Sequence, residues 1–209
     1  MTQLLWTGPD DAERVLVLAH GAGAPMDSTW MDAVAALLGD RGIRVARFEF
    51  AYMAARREGV RRPAPRAEAV LDEYRDVVQR VRAETGAAPH IGGKSFGGRV
   101  GSMIADELYA AGGIRGLVCL GYPFHPMGSP ERLRTTHLAE LVTPTLICQG
   151  ERDVMGSRAE VAGYALSPTV TIAWANDGDH DLRPRKASGR TLADNLAAAA
   201  DAVAGAVGG

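Results

Sequence analysis

Along the chain, short runs of β-branched and other apolar residues alternate with longer stretches in which apolar residues recur every three or four positions. Val15-Leu16-Val17-Leu18, Val45-Ala46-Arg47-Phe48, Leu117-Val118-Cys119-Leu120, Thr145-Leu146-Ile147-Cys148 and Val170-Thr171-Ile172-Ala173 read as strands, and His90-Ile91-Gly92-Gly93 is a weaker candidate. Between them, Val70, Leu71, Tyr74, Val77, Val78 and Val81 form one helical stripe, and Val100, Met103, Ile104 and Leu108 another. Trp30, Val34, Leu37 and Leu38 make a third, with Asp27 or Ser28 placed to cap it. The Ala-rich run from Leu196 to Val207 predicts a surface helix packing small residues on the body. This order predicts an α/β fold: a mostly parallel sheet with helices on both faces, in one domain spanning 1–209. In such sheets the loops leaving the carboxyl ends of the strands build the site, which directs the search for chemistry.

Composition narrows the function classes. A net charge of -2, with 23% charged and 46% hydrophobic residues, leaves no footprint for nucleic acid or an anionic membrane. No apolar segment reaches the length of a membrane span, and Met1 to Asp11 lacks the form of a secretory signal. Cys119 and Cys148 each sit in an apolar run, which predicts buried thiols and a cytoplasmic protein. A monomer or homodimer acting on a small molecule is the expected form.

The most informative loop is Gly93-Lys94-Ser95-Phe96-Gly97, which follows a strand candidate and opens a helix, the context of the G-x-S-x-G motif. A nucleophile on so sharp a turn needs small neighbours, and Gly93 and Gly97 supply them. The turn aims the Phe96 N–H at a developing oxyanion, beside a positive helix end. Taken alone, the pentapeptide is equally a glycine-rich turn with an ordinary serine. Two phosphate-loop readings are weak: Gly93-Lys94-Ser95 lacks the earlier glycine, since Ala88 stands there, and Gly21-Ala22-Gly23 is followed by Pro25 and Met26.

A serine hydroxyl needs a base within hydrogen-bond reach and a group that orients that base. His180 lies in Gly178-Asp179-His180 after the last strand candidate, and Asp153 in Gly150-Glu151-Arg152-Asp153 after the preceding one. The order Ser95, Asp153, His180, each just past a strand end, is the order of α/β-hydrolase triads. The second oxyanion donor is expected in His20-Gly21-Ala22-Gly23-Ala24, with Ala22 as the donor and His20 pinning the loop.

These residues, together with Gly121-Tyr122-Pro123-Phe124-His125-Pro126, make the chain resemble the α/β-hydrolase superfamily nearly end to end. Within it, the chain is similar to the small lidless hydrolase-like proteins that include testis-expressed protein 30 and bacterial relatives. It is also similar to dienelactone hydrolases in size, although those use Cys where this chain has Ser95. The resemblance implies Ser95 as nucleophile, Asp153 as acid and His180 as base, without cofactor or metal. It implies a serine hydrolase for an ester, thioester or related acyl bond, the alternative being a non-catalytic binding or scaffold module. About twenty residues between Tyr122 and Pro144 leave no room for a substantial lid, so the site should be open. Tyr122, Phe124 and His125 are expected to line the acyl pocket, and Arg56, Arg57, Arg61, Arg62 and Arg66 to crowd a solvated loop after the strand ending at Phe50, with attraction of an anionic substrate as the lesser reading.

Overall fold

The computed structural model describes residues 2–208; Met1 and Gly209, the ends of the expected domain 1–209, lie outside the described residues. The strands are β1 (Leu4–Thr7), β2 (Arg14–Ala19), β3 (Ile43–Phe48), β4 (His90–Lys94), β5 (Leu117–Leu120), β6 (Thr145–Gly150) and β7 (Val170–Ala175). They form one sheet in the order β1-β3-β2-β4-β5-β6-β7, parallel throughout except for the antiparallel β1–β3 edge. The helices are α1 (Thr29–Gly39), α2 (Ala51–Arg57), α3 (Leu71–Thr85), α4 (Phe96–Ala110), α5 (Arg158–Val161) and α6 (Leu192–Val207).

Alternation along each strand divides the core into two layers. Val15, Val17 and Ala19 of β2 pack with Tyr74, Val77 and Val81 of α3 and Val100 and Ile104 of α4. Leu16 and Leu18 face the other way, onto Met31, Val34 and Leu38 of α1 and Leu196 and Val203 of α6. Both faces are therefore covered by apolar stripes, as parallel strands require. Ser28 caps α1 by accepting from Met31 N, and Ala199, Ala200 and Val203 let α6 lie close against the sheet.

Two elements depart from the sequence expectation. β1 is a four-residue edge strand, half-buried throughout, too short and too little alternating to announce itself. The segment expected to be loop after a strand ending at Phe50 holds α2 instead, and the strand ends at Phe48. Arg57 ends that helix with its side chain still exposed, its guanidinium meeting Glu49 at 2.7 Å and Asp27 at 2.8 Å, while Arg61, Arg62 and Arg66 lie exposed in the loop that follows; Glu49 is 5% exposed. A seven-residue helix with only Tyr52 and Met53 buried carries too little periodicity to be read from sequence. Between Tyr122 and Pro144 the chain packs down instead of rising as a lid, with Leu138 and Leu141 in the core. Both thiols are buried and free. No helix among the described residues is long and apolar enough to cross a membrane.

Three histidines away from the candidate base, namely His20, His90 and His137, are held below the usual imidazole range, each chiefly by burial. His90, 7% exposed, is pushed down to about 4. An unfolded histidine binds its proton near pH 6.5, so between there and the folded value the unfolded chain holds protons that the folded one refuses. Stability is then full above pH 6.5 and falls as the solution is acidified toward pH 4. At about 1.4 kcal/mol per unit, His90 alone costs roughly 2 kcal/mol by pH 5, before most carboxylates titrate. Thermal unfolding should show Tm dropping by several degrees from pH 7 to pH 5, with a shallower drop in His90→Leu. A flat profile, or an identical slope in the variant, contradicts this.

Candidate active site

Ser95 follows β4 directly and caps α4 with φ 49° and ψ -108°, a left-handed backbone that a non-glycine residue adopts only under constraint. The constraint is a close approach of three backbones. A Cβ on Gly93 would lie 2.5 Å from the carbonyl carbon of Gly97, and one on Gly97 would lie 2.6 Å from the carbonyl oxygen of His20. Only hydrogen fits at either position, and that lets α4 begin against the end of β2. Ser95 N donates to Leu120 O at 3.0 Å, and Arg99 N to Ser95 O at 3.0 Å. Beneath the turn, the buried Tyr74 hydroxyl accepts from Gly92 N at 2.9 Å and donates to the Gly92 carbonyl, tying α3 to β4.

Ser95 Oγ lies 2.8 Å from His180 Nε2, and His180 Nδ1 lies 2.7 Å from Asp153 Oδ2. Asp153 is fully buried, yet its carboxylate is satisfied: Oδ2 also accepts from Gln149 Nε2 at 2.8 Å, and Oδ1 from Met155 N at 2.8 Å. With Asp153 accepting at Nδ1, the neutral ring carries its proton there and leaves Nε2 free to accept from the serine hydroxyl. The neighbouring carboxylates are occupied elsewhere. Asp177 is hydrogen-bonded and ion-paired to Arg185, which with the nearby charge of Arg152 holds its carboxyl down at about 2, and Asp179 Oδ1 accepts from Asp181 N and Arg183 N at 2.9 Å to close the loop.

Two supports were not apparent in the sequence. Gln149, fully buried at the end of β6, joins Asp153 to the chain after β5 by accepting from Tyr122 N at 2.7 Å. The signal was a lone amide in an otherwise apolar strand. Lys94, 7% exposed, donates from Nζ to the carbonyl of His180 at 2.8 Å and meets Asp181 Oδ1 at 3.1 Å. Burial lowers its pKa against the pull of Asp181. Trp30 Nε1 donates to Asp181 O at 2.9 Å, so the histidine loop is held from two sides.

The expected oxyanion donors flank the same space. Ala22 and Phe96 line, with Ser95, a cavity of about 680 Å³, and neither N–H makes a turn or loop hydrogen bond among the described residues. The peptide around Ala22 is fixed from behind. Tyr52 Oη donates to Ala22 O at 3.1 Å, and His20 Nε2 accepts from Phe50 N at 3.2 Å while Nδ1 donates to Gly21 O at 2.6 Å. His20 thus pins the loop, as expected. A second cleft of about 540 Å³ meets the first at Ser95 and is lined by His180, Trp30, Met31 and Ala24.

Tyr122, Phe124 and His125, expected to line an acyl pocket, do not line the cavity beside Ser95. Tyr122 and Phe124 are fully buried and His125 is 2% exposed. The two aromatic rings pack edge to face at 5.0 Å, and the Tyr122 hydroxyl donates to Arg134 O at 3.2 Å. The alternation of the loop sends these side chains inward and leaves Pro123 and Pro126 to face the cavity. A larger cavity of about 740 Å³ sits at the opposite, amino ends of β4, β5 and β6, lined by His90, Gly116 and Pro144. Among the described residues no cluster of His, Cys, Asp and Glu is placed to hold a metal ion.

The fold recurs in solved structures. A serine hydrolase without lid from Xanthomonas campestris superposes with a TM-score of 0.69 at 20% identity, covering 97% of this chain and 88% of its own. Est1E from Butyrivibrio proteoclasticus gives 0.72 at 14% identity, covering 99% and 94%. Dienelactone hydrolase from Anabaena variabilis gives 0.73 at 18% identity, covering 98% and 89%. These likenesses concern the fold, and the sequence itself matches the family model described as alpha/beta hydrolase domain over residues 12–208. The chain therefore belongs to the alpha/beta hydrolase domain family.

Proposed function

We propose that this hydrolase cleaves an ester or thioester of a small acyl group, with Ser95 as nucleophile, His180 as base and Asp153 orienting the base. The observation that carries the reading is His180 bridging Ser95 Oγ at 2.8 Å and the buried Asp153 at 2.7 Å. His180 Nε2 takes the Ser95 proton as Oγ attacks the acyl carbon, and the Ala22 and Phe96 N–H groups receive the oxyanion. Collapse of this intermediate expels the leaving group, which takes its proton from His180. Water, deprotonated by His180, then adds to the acyl-enzyme, and Ser95 leaves with its proton restored. Asp153 stabilises the imidazolium in both halves and keeps its tautomer fixed. The name of one neighbour, a serine hydrolase without lid, points the same way.

A fluorophosphonate should label the wild type at Ser95, detected as the modified peptide, and leave Ser95→Ala unlabelled. A protein that only binds, with an idle triad, would stay unlabelled in both forms.

Asp153→Asn should lower kcat by on the order of 10⁴, since an amide at Nδ1 no longer favours the required tautomer. A larger loss from Asp179→Asn would overturn the assignment.

With no lid, gain from chain length should stop once the acyl group outgrows the cavity, each buried methylene contributing roughly 0.8 kcal/mol until then. On neutral 4-nitrophenyl esters kcat/KM should peak from acetate to butyrate, without a jump when the substrate forms micelles. A steady rise through decanoate would contradict it.

A further inference from the structure

The cavity beside Ser95 is ringed by positive charge. Arg66, Arg99, Arg132 and Arg134 all line it, against the single carboxylate of Glu68. They come from three separate places: the turn before α3, the first turn of α4, and the chain after β5. Arg99 spends one nitrogen on Glu68 at 3.1 Å, while its buried Nε has no partner. Arg66, Arg132 and Arg134 make no side-chain ion pair with the protein among the described residues, in contrast to Arg57 or Arg152. Burial, then the nearby charges of Arg99 and Arg132, press Arg134 below the usual guanidinium range. Four like charges gathered in one recess with a single counter-ion, Glu68, repel each other, and an anion in the recess relieves that repulsion.

The two clefts that meet at Ser95 also differ in kind, and this fixes which half of a substrate carries the charge. His180 must deliver a proton to the leaving group, and His180 lines the cleft of Trp30, Met31 and Ala24, not the arginine cavity. The leaving group therefore belongs in the apolar cleft. The acyl chain, opposite it across the carbonyl, enters the cavity of arginines. Resting on the hydrolase reading above, the geometry points to an acyl chain that ends in a carboxylate, a half-ester or half-thioester of a short dicarboxylic acid with an apolar leaving group. Guanidinium forks match a carboxylate with paired N–H donors.

The test compares the 4-nitrophenyl half-ester of glutarate with 4-nitrophenyl pentanoate, rates being taken above the enzyme-free reaction. The wild type should prefer the half-ester at least tenfold in kcat/KM at low salt, with the ratio falling in 0.5 M NaCl. Arg132→Glu/Arg134→Glu should bring the ratio below one, and Arg132→Gln, at an exposed position, should lower it if the double variant fails to fold. An active enzyme with equal rates on the two esters overturns the anionic acyl site while leaving the hydrolase reading intact. A preference appearing only for 4-carboxyphenyl butyrate over phenyl butyrate places the charge on the leaving group and overturns the assignment of the clefts. A readout independent of turnover is calorimetric titration of Ser95→Ala with monomethyl glutarate and with methyl butyrate. Binding of the anion alone, weakened at least tenfold by the same arginine substitutions, supports the site even in a protein that turns over neither ester. No binding of the anion overturns it.

Discussion

Everything at this site depends on how closely three backbones meet where β4 turns into α4. Gly93 and Gly97 bring the end of the strand, the first turn of the helix and the end of β2 to a separation that no Cβ permits. The turn forces Ser95 to φ 49°, a conformation costing on the order of 1–3 kcal/mol that surrounding packing must offset. That packing comes from both sides: α3 and α4 on one face of the sheet, α1 and α6 on the other. The consequence is chemical. A relaxed turn would lay the serine along the helix, whereas this one stands its hydroxyl at the carboxyl edge of the sheet and leaves the Phe96 N–H at a positive helix end.

A second constraint meets the first at His180. Its ring is useful only between two fixed points, and each is held by several bonds. Asp153 is buried with Gln149, His180 and the Met155 N–H meeting its oxygens, which keeps a carboxylate in the interior with both oxygens hydrogen-bonded. Lys94 and Trp30 grip the loop that carries the histidine, through its own carbonyl and that of Asp181. The residue before the serine thereby steadies the candidate base, so the two halves of the candidate triad share one support. Lys94 in a G-K-S sequence serves here as a strut on the histidine loop and not as a phosphate ligand.

Much of this was legible in the chain because it rests on periodicity and spacing. The β-branched runs, the three apolar stripes and the elbow glycines are local patterns, and the structure places them as strands, helices and a strained turn. Ser95, Asp153 and His180 could be picked out since each follows a strand, and strand ends of a parallel sheet share one edge. What escaped depends on long-range pairing. Gln149 and Lys94 act through partners on other loops, α2 is too short for its period to show, and the inward turn of Tyr122 and Phe124 reflects packing against Ser102, Arg134 and Tyr164. An aromatic pair in a loop beside the site looked like a pocket wall, yet burial, not the site, claimed it.

The central claim, that backbone approach at the elbow sets the reactivity of Ser95, is tested most directly by the rate of fluorophosphonate labelling in Gly97→Ala. The reference is Gly205→Ala, where a Cβ meets nothing within 4 Å. A methyl at position 97 must push β2 and α4 apart, and a misplacement of about 1 Å at a catalytic centre costs on the order of 10²-fold. Labelling of Gly97→Ala should therefore slow by about 10²-fold in protein that is still folded by circular dichroism, whereas Gly205→Ala should label at the wild-type rate. Equal labelling rates in all three proteins would contradict the account.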